Sequence, residues 1–358
     1  MTKMQKWAPF HLTQKAIFTP KIDLAVTSGI SILVMVTLVS WYFFSGMPDS
    51  ATAQDILPKL LILQVLLNWP HFLVSYRLLY KKENFKEFPL ATLIIPSILL
   101  SICAASVMPI FGGDGIFNAN IKISYLIWIF STFYLAWHYT GQAWGMMMVY
   151  SRISGIIFSK IESILLRTSL RILIAWHVIW GLQTLPPLPY LAALQSDTSQ
   201  QVVNIVALIS FIMGCVVFTK KSFEQSIDIR IFGAWLVTYL WYLVLFLIPK
   251  AFMFVQFSHA LQYMIFPMRV ELNRDLSKDQ RISSRSKVRV FTIYILSILG
   301  GLLIFYVPDV LIPNSSQTPT LFALIAISIN IHHFYTDSAI WKLRNKKTRG
   351  LLFTHLQK

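Results

Sequence analysis

Long unbroken apolar runs leave this chain few ways to fold. Runs of about 20 mostly apolar residues recur near 24–45, 56–78, 89–111, 121–149, 163–183, 201–219, 230–248, 251–268, 290–307 and 319–341. A helix rising 1.5 Å per residue needs about 20 residues to cross a hydrocarbon core roughly 30 Å thick. The pattern predicts an all-α polytopic membrane protein of about ten transmembrane helices. Ile248-Pro249-Lys250 alone separates the seventh and eighth runs, which predicts a tight helical hairpin. Short alternating strands of a membrane barrel would not produce runs this long. Composition agrees: 56% of the 358 residues are hydrophobic and 13% charged, against about 25% charged in soluble domains. A soluble globule and a disordered chain are excluded. Cys103 and Cys215 both sit in apolar runs, which excludes a disulfide scaffold or a cysteine metal motif.

The formal charge of +16 is distributed as a bilayer would sort it. Of 31 Lys and Arg, 28 fall on one side of the expected map, and only Lys59, Lys122 and Lys250 on the other. That asymmetry predicts cytoplasmic termini in a bacterial-type inner (plasma) membrane. A nucleic-acid partner does not explain cations spread over alternate loops. Residues 1–23 read as a cytoplasmic, interfacial segment with no removed signal peptide, carrying Trp7, Phe10, Ile17 and Phe18 among lysines. Residues 24–341 read as the transmembrane bundle, with a cytoplasmic linker near 271–289. Residues 342–358 form a basic cytoplasmic tail.

Ionisable residues inside a bilayer are costly and mark function by default. Six of eight histidines fall within expected spans: His71, His138, His177, His259, His332 and His333. His71 and His259 each precede an inner basic residue by ten positions and His333 by nine. Three histidines thus lie ~14–15 Å from the inner rim, near the midplane. His138, fourteen positions before Arg152, is expected ~6 Å further out. Histidines from several helices at one depth can form a ligand cluster. His333 and Asp337 share a helical face, so Asp337 could bind metal or fix an imidazole tautomer. His332 points about 100° away from His333, and the Asp337 pairing favours His333. A lone intramembrane histidine is often a helix–helix hydrogen-bond donor, the reading favoured for His177.

No Gly-rich phosphate loop, His-Glu-x-x-His or Gly-x-Ser-x-Gly occurs. The repeated histidine boxes of membrane desaturases are also missing. Pro70-His71, His138-Tyr139-Thr140-Gly141 and Phe254-Val255-Gln256-Phe257-Ser258-His259 occur in an order that resembles the bacterial Brp/Blh family of β-carotene-cleaving dioxygenases. The resemblance covers about thirty residues. Tyr263 stands where that family's third element has a second histidine. The resemblance implies a polytopic, iron-dependent membrane oxygenase, with His333 or Asp337 completing the coordination.

The expected function is a membrane-embedded non-haem iron oxygenase acting on a lipid, isoprenoid or carotenoid-like substrate. Its expected metal ligands are His71, His138, His259 and His333, with Asp337 beside them. Tyr139, Gln262 and Tyr263 would orient substrate or oxygen, and Fe(II) would be the cofactor. A haem-binding electron-transfer protein and a His/Asp-dependent proton-coupled transporter are the alternatives. The expected partners are the lipid bilayer and a hydrophobic small molecule.

Overall fold

The computed structural model describes residues 9–45, 61–276, 282–311, 319–342 and 346–356. Trp7, the start of the second expected span (56–60), the middle of the 271–289 linker and Arg344 in the tail lie outside the described residues. The described residues are almost wholly helical. The principal helices are α1 (Pro20–Ser45), α2 (Trp69–Leu79), α3 (Leu90–Ser106), α4 (Ile121–Ser154), α5 (Lys160–Gln183), α6 (Asp197–Glu224), α7 (Ile229–Leu247), α8 (Phe252–Asn273), α9 (Ser284–Tyr306), α10 (Leu321–Ile340) and α11 (Lys346–Phe353). Among the described residues, α1, α5, α6, α7 and α9 are long and apolar enough to cross a membrane. The chain divides into two compact units, Met1–Asp49 with Tyr139–Gln183 and Pro187–Ile265, and Ser50–His138 with Thr184–Pro186 and Phe266–Lys358.

In the first unit, short polar side chains start the helices where lipid-compatible sequence begins. Thr19, Ser196 and Asp228 cap α1, α6 and α7 through bonds to Ile22, Ser199 and Arg230 N–H groups. Ser159 and Glu162 form a reciprocal capping box at α5 (Ser159 N–H to Glu162 Oε2, 2.8 Å; Glu162 N–H to Ser159 Oγ, 3.2 Å). Helix α6 packs along α5, yet Ile205, Leu208, Ile209, Ile212 and Val216 are exposed. A helix apolar on its outer face suits hydrocarbon as solvent. Helix α7 is the buried one, with Ile231, Ala234, Trp235, Val237, Trp241 and Val244 fully covered. A Cβ on Gly233 would stand 2.5 Å from Ser28 Oγ, so only glycine lets α7 approach α1 this closely.

The N-terminal segment is tied to this unit by a buried ionic knot. Strand β1 (Phe10–His11) pairs in parallel with β2 (Ile227–Asp228), Phe10 opposite Ile227. Arg230 is fully buried and meets Asp228 at 2.6 Å and Asp23 at 3.5 Å. It also donates to the carbonyls of Thr13 (3.2 Å) and Lys15 (3.0 Å). Asp23 accepts from the Ile17 and Phe18 N–H groups at 2.7 and 2.9 Å. The Arg230 guanidinium lies over the Tyr150 ring, 4.7 Å from its centre. Arg230, counted in sequence as a loop cation, is therefore an internal strut.

In the second unit, α10 packs against α2 and α3, and α9 against α2. A Cβ on Gly301 would lie 2.5 Å from Trp69 Cβ, so a glycine permits the close crossing of α9 and α2. A π-helical turn, Gln64–Asn68, leads into α2 at Pro70. Pro70 has no N–H for the Leu66 carbonyl four residues back. The Tyr294 hydroxyl of α9 donates to that carbonyl instead, at 2.6 Å. The proline thus opens the helix one residue before His71, and α9 closes the accounting. Cys103, Ala119, Ile127, Leu324 and Ile331 form an apolar core, and Cys103 Sγ lies 3.2 Å from Ser328 Oγ.

Candidate metal centre

Three helices of the second unit each bring one histidine to one place. His71 comes from the first turn of α2, His138 from the middle of α4 and His333 from α10. His71 and His333 are fully buried and His138 is 7% exposed. His333 Nε2 lies 2.9 Å from His71 Nε2. Asp337, one turn along α10, places Oδ2 3.4 Å from His333 Nε2 and 3.9 Å from His138 Nε2. The ligand atoms of His71, His138 and His333 all fall within 4.8 Å of one another. Two nitrogens each ~2.1 Å from a shared ion sit about 3.0 Å apart at a right angle and at most ~4.2 Å apart. The His71–His333 distance matches the right-angle case.

Aromatic rings wall this group. Phe72 meets His333 edge-on at 4.7 Å between ring centres, and Phe334 stacks on His138 at 4.7 Å. Tyr76 is 6.4 Å from His333 and donates its hydroxyl to the Ile329 carbonyl at 2.7 Å. Phe72, Tyr76 and Phe334 were not singled out in the sequence. Their positions one, five and one residues from a histidine are the signal that was available. His332 does not join the group. Its Nε2 meets the Ala91 carbonyl at 2.6 Å, in the π-helical turn that opens α3, and its ring stacks on Tyr76. His138 reaches the others despite its larger distance from Arg152 because α4 has 34 residues and a length of about 51 Å, well beyond a ~30 Å core. Arg152 is therefore a poor depth mark.

The remaining expected site residues belong to the first unit. His259, 2% exposed, packs against the ring of Tyr139 at 4.5 Å and that of Trp241 at 6.4 Å. Gln142, unforeseen as a site residue, donates to the His259 carbonyl at 3.0 Å. Gln262 is fully buried and donates to the Thr27 carbonyl at 2.6 Å, within the π-helical turn of α1. Tyr263 is buried. His177 lies among the rings of Tyr139, Trp180, Tyr242 and Phe252.

Within the second unit, the three buried histidines His71, His138 and His333 could bind a metal ion. Imidazoles with one carboxylate suit a borderline or hard divalent ion of the first transition row more than a soft one. No family model, curated protein or solved structure matches this chain.

Proposed function

We propose that this protein is a membrane-embedded non-haem iron oxygenase acting on a lipid, isoprenoid or carotenoid-like substrate. The observation that carries the reading is the convergence of His71, His138 and His333 around Asp337 in an apolar, aromatic-walled interior. The ligand set is His71, His138, His333 and His259, with Asp337 either on the ion or holding an imidazole tautomer. Ferrous iron held there would supply activation of O₂. The chain itself supplies three things. Its histidines hold neutral imidazoles in place, its rings exclude water from the site, and its outward apolar helices let a hydrophobic substrate arrive from the bilayer. Tyr139, Gln262 and Tyr263 orient that substrate or oxygen. The likeness of Pro70-His71, His138-Tyr139-Thr140-Gly141 and Phe254–His259 to the Brp/Blh elements favours a polyene among the lipid classes. A bare ion is favoured over haem because the His333 ring, 4.3 Å from His71 and 5.3 Å from His138, takes the space a porphyrin would need between them. The chain crosses the inner membrane ten times in this reading, with both termini in the cytoplasm.

The test is metal content and absorbance of detergent-purified protein from iron-replete cells. Near-stoichiometric iron without a Soret band is expected, lost in His71→Ala and His333→Ala at unchanged helical content. Either variant retaining full occupancy removes that residue from the ligand set. Metal-free protein, or a Soret band, overturns the proposal.

A further inference from the structure

The second unit holds a cavity of about 490 Å³ where α2, α8 and α10 end. Its wall is of two kinds. Leu78, Phe88, Val270, Ile340 and Trp341 make part of the lining apolar, while Lys81, Lys82 and Arg274 bring cations to it. The volume suits a small ligand or one lipid headgroup with the start of its chains. Beneath the cations lies Glu271, 2% exposed, which holds Lys81 at 2.9 Å, Arg274 at 3.3 Å, Arg289 at 3.4 Å and Arg77 at 3.9 Å. Asp275 takes a further bond from Arg289. Glu87 also lines the cavity. Among the lining residues three cations (Lys81, Lys82, Arg274) thus stand against one carboxylate (Glu87), and Glu271 behind them is shared with Arg77 and Arg289, leaving an excess of positive charge at the cavity.

We propose that this cavity is a binding site for the phosphate headgroup of an anionic membrane phospholipid. Glu271 fixes Lys81 and Arg274 in place before any ligand arrives, so little side-chain freedom remains to be lost on binding. Lys82 is exposed and lines the cavity beside them. The apolar part of the lining argues for a lipid and against a free phosphate. An inorganic ion would leave the half-buried Phe88 and Trp341 against water, whereas acyl chains would cover them. Trp341 immediately follows α10, the place where tryptophan settles at a membrane interface. Basic pockets between membrane helices recognise lipid headgroups by this combination of charge and apolar wall. The site is independent of the histidine group and needs only that the helices lie in a bilayer.

Native mass spectrometry of the detergent-purified full chain, titrated with phosphatidylglycerol or phosphatidylcholine, tests it. One phosphatidylglycerol should be retained per chain in preference to phosphatidylcholine. Lys82→Gln with Arg274→Gln should weaken that binding roughly tenfold or more. The single exposed change Lys82→Gln, which leaves the Glu271 contacts whole, should weaken it in the same direction, and Lys122→Gln should not. Equal retention of the two lipids, or retention unchanged in both Lys82 variants, overturns the proposal. Inorganic phosphate is the competing arm. If it raises the melting temperature in a Lys82-dependent way while phosphatidylglycerol is not retained, the cavity takes a soluble anion and the lipid proposal fails.

Discussion

His333 reaches His71 at 2.9 Å, while His332, the preceding residue on α10, bonds the Ala91 carbonyl at 2.6 Å. The 100° step between neighbours on a helix sends one imidazole to the candidate metal group and the other to an adjoining helix. The two should therefore respond differently to the same change. His333→Ala should abolish bound metal. His332→Ala should keep it, and should lower stability by about 1–3 kcal/mol because a buried carbonyl loses a strong donor. Metal analysis and a thermal melt on the same two preparations give the answer. Metal loss in both would mean that His332 also belongs to the ligand set. The choice between them was legible in sequence from Asp337 alone, one turn beyond His333. The role of Tyr294 was not. That tyrosine is defined by a carbonyl that Pro70 leaves without a helical donor, 228 residues away in the chain.

At the scale of elements, an all-α fold was legible because its helices are long apolar runs, several of them opened by a polar cap. The sequence did not reveal how residues 9–18 are held. Lysines and scattered aromatics there suggest a surface segment, whereas β1 pairs with β2 and Arg230 gathers two carboxylates and two carbonyls around it. An arginine at the start of an apolar run reads as an orienting charge, because Asp23 and the two carbonyls that it meets beside the adjacent Asp228 are more than 200 residues distant. Asp228 shows how far the knot depends on ion pairing. Burial pushes its carboxyl up, but the bonds from the Arg230 side chain and backbone outweigh this and hold it below the usual carboxylate range. Its folded-state value is thus lowered. Its stabilising contribution is present at neutral pH and is lost as pH falls below the unfolded value, ~3.9, through the lower folded one. Asp228→Asn leaves a buried guanidinium short of one partner and should cost about 3 kcal/mol at neutral pH. Asp23 and the two carbonyls keep the loss near the lower end of the range for broken buried pairs. Melts of the wild type and variant should converge as pH is lowered through that window. A difference that persists unchanged in acid would locate the effect in shape and not in charge.

For the whole molecule, the sequence makes its strongest statement through charge and not through packing. Five helices carry membrane-crossing length and hydropathy on their own. Others in the expected set are shorter or carry the histidines and other polar groups that lower a hydropathy average, which is how a helix serving a polar site differs from one serving only lipid. Charge supplies the missing constraint. Lys122 and Lys250 stand at the opposite ends of helices from the clusters at Arg77–Lys86, Arg152–Arg171 and Arg269–Arg289. Moving any one of these clusters across a bilayer is opposed by the orienting preference of Lys and Arg. An even number of crossings keeps all three on one side with the C-terminal tail, and an odd number does not. A fluorescent protein fused after Lys358 should therefore light up in the cytoplasm. A periplasmically active phosphatase inserted after Asp114, in the connection that turns through Gly112 and Gly115 at φ +77° and +76°, should be active there and silent after Lys278. The Asp114 insertion tests the assignment of α3 and α4, and the Lys278 insertion tests every crossing between them. Phosphatase activity after Lys278 with a non-fluorescent C-terminus would require one crossing to be lost between residues 114 and 278, and the short α7–α8 connection at Pro249–Ala251 would be the first place to seek it. Helix α8 would then dip into the bilayer and return, placing His259 on a re-entrant element and removing it from the proposed ligand set.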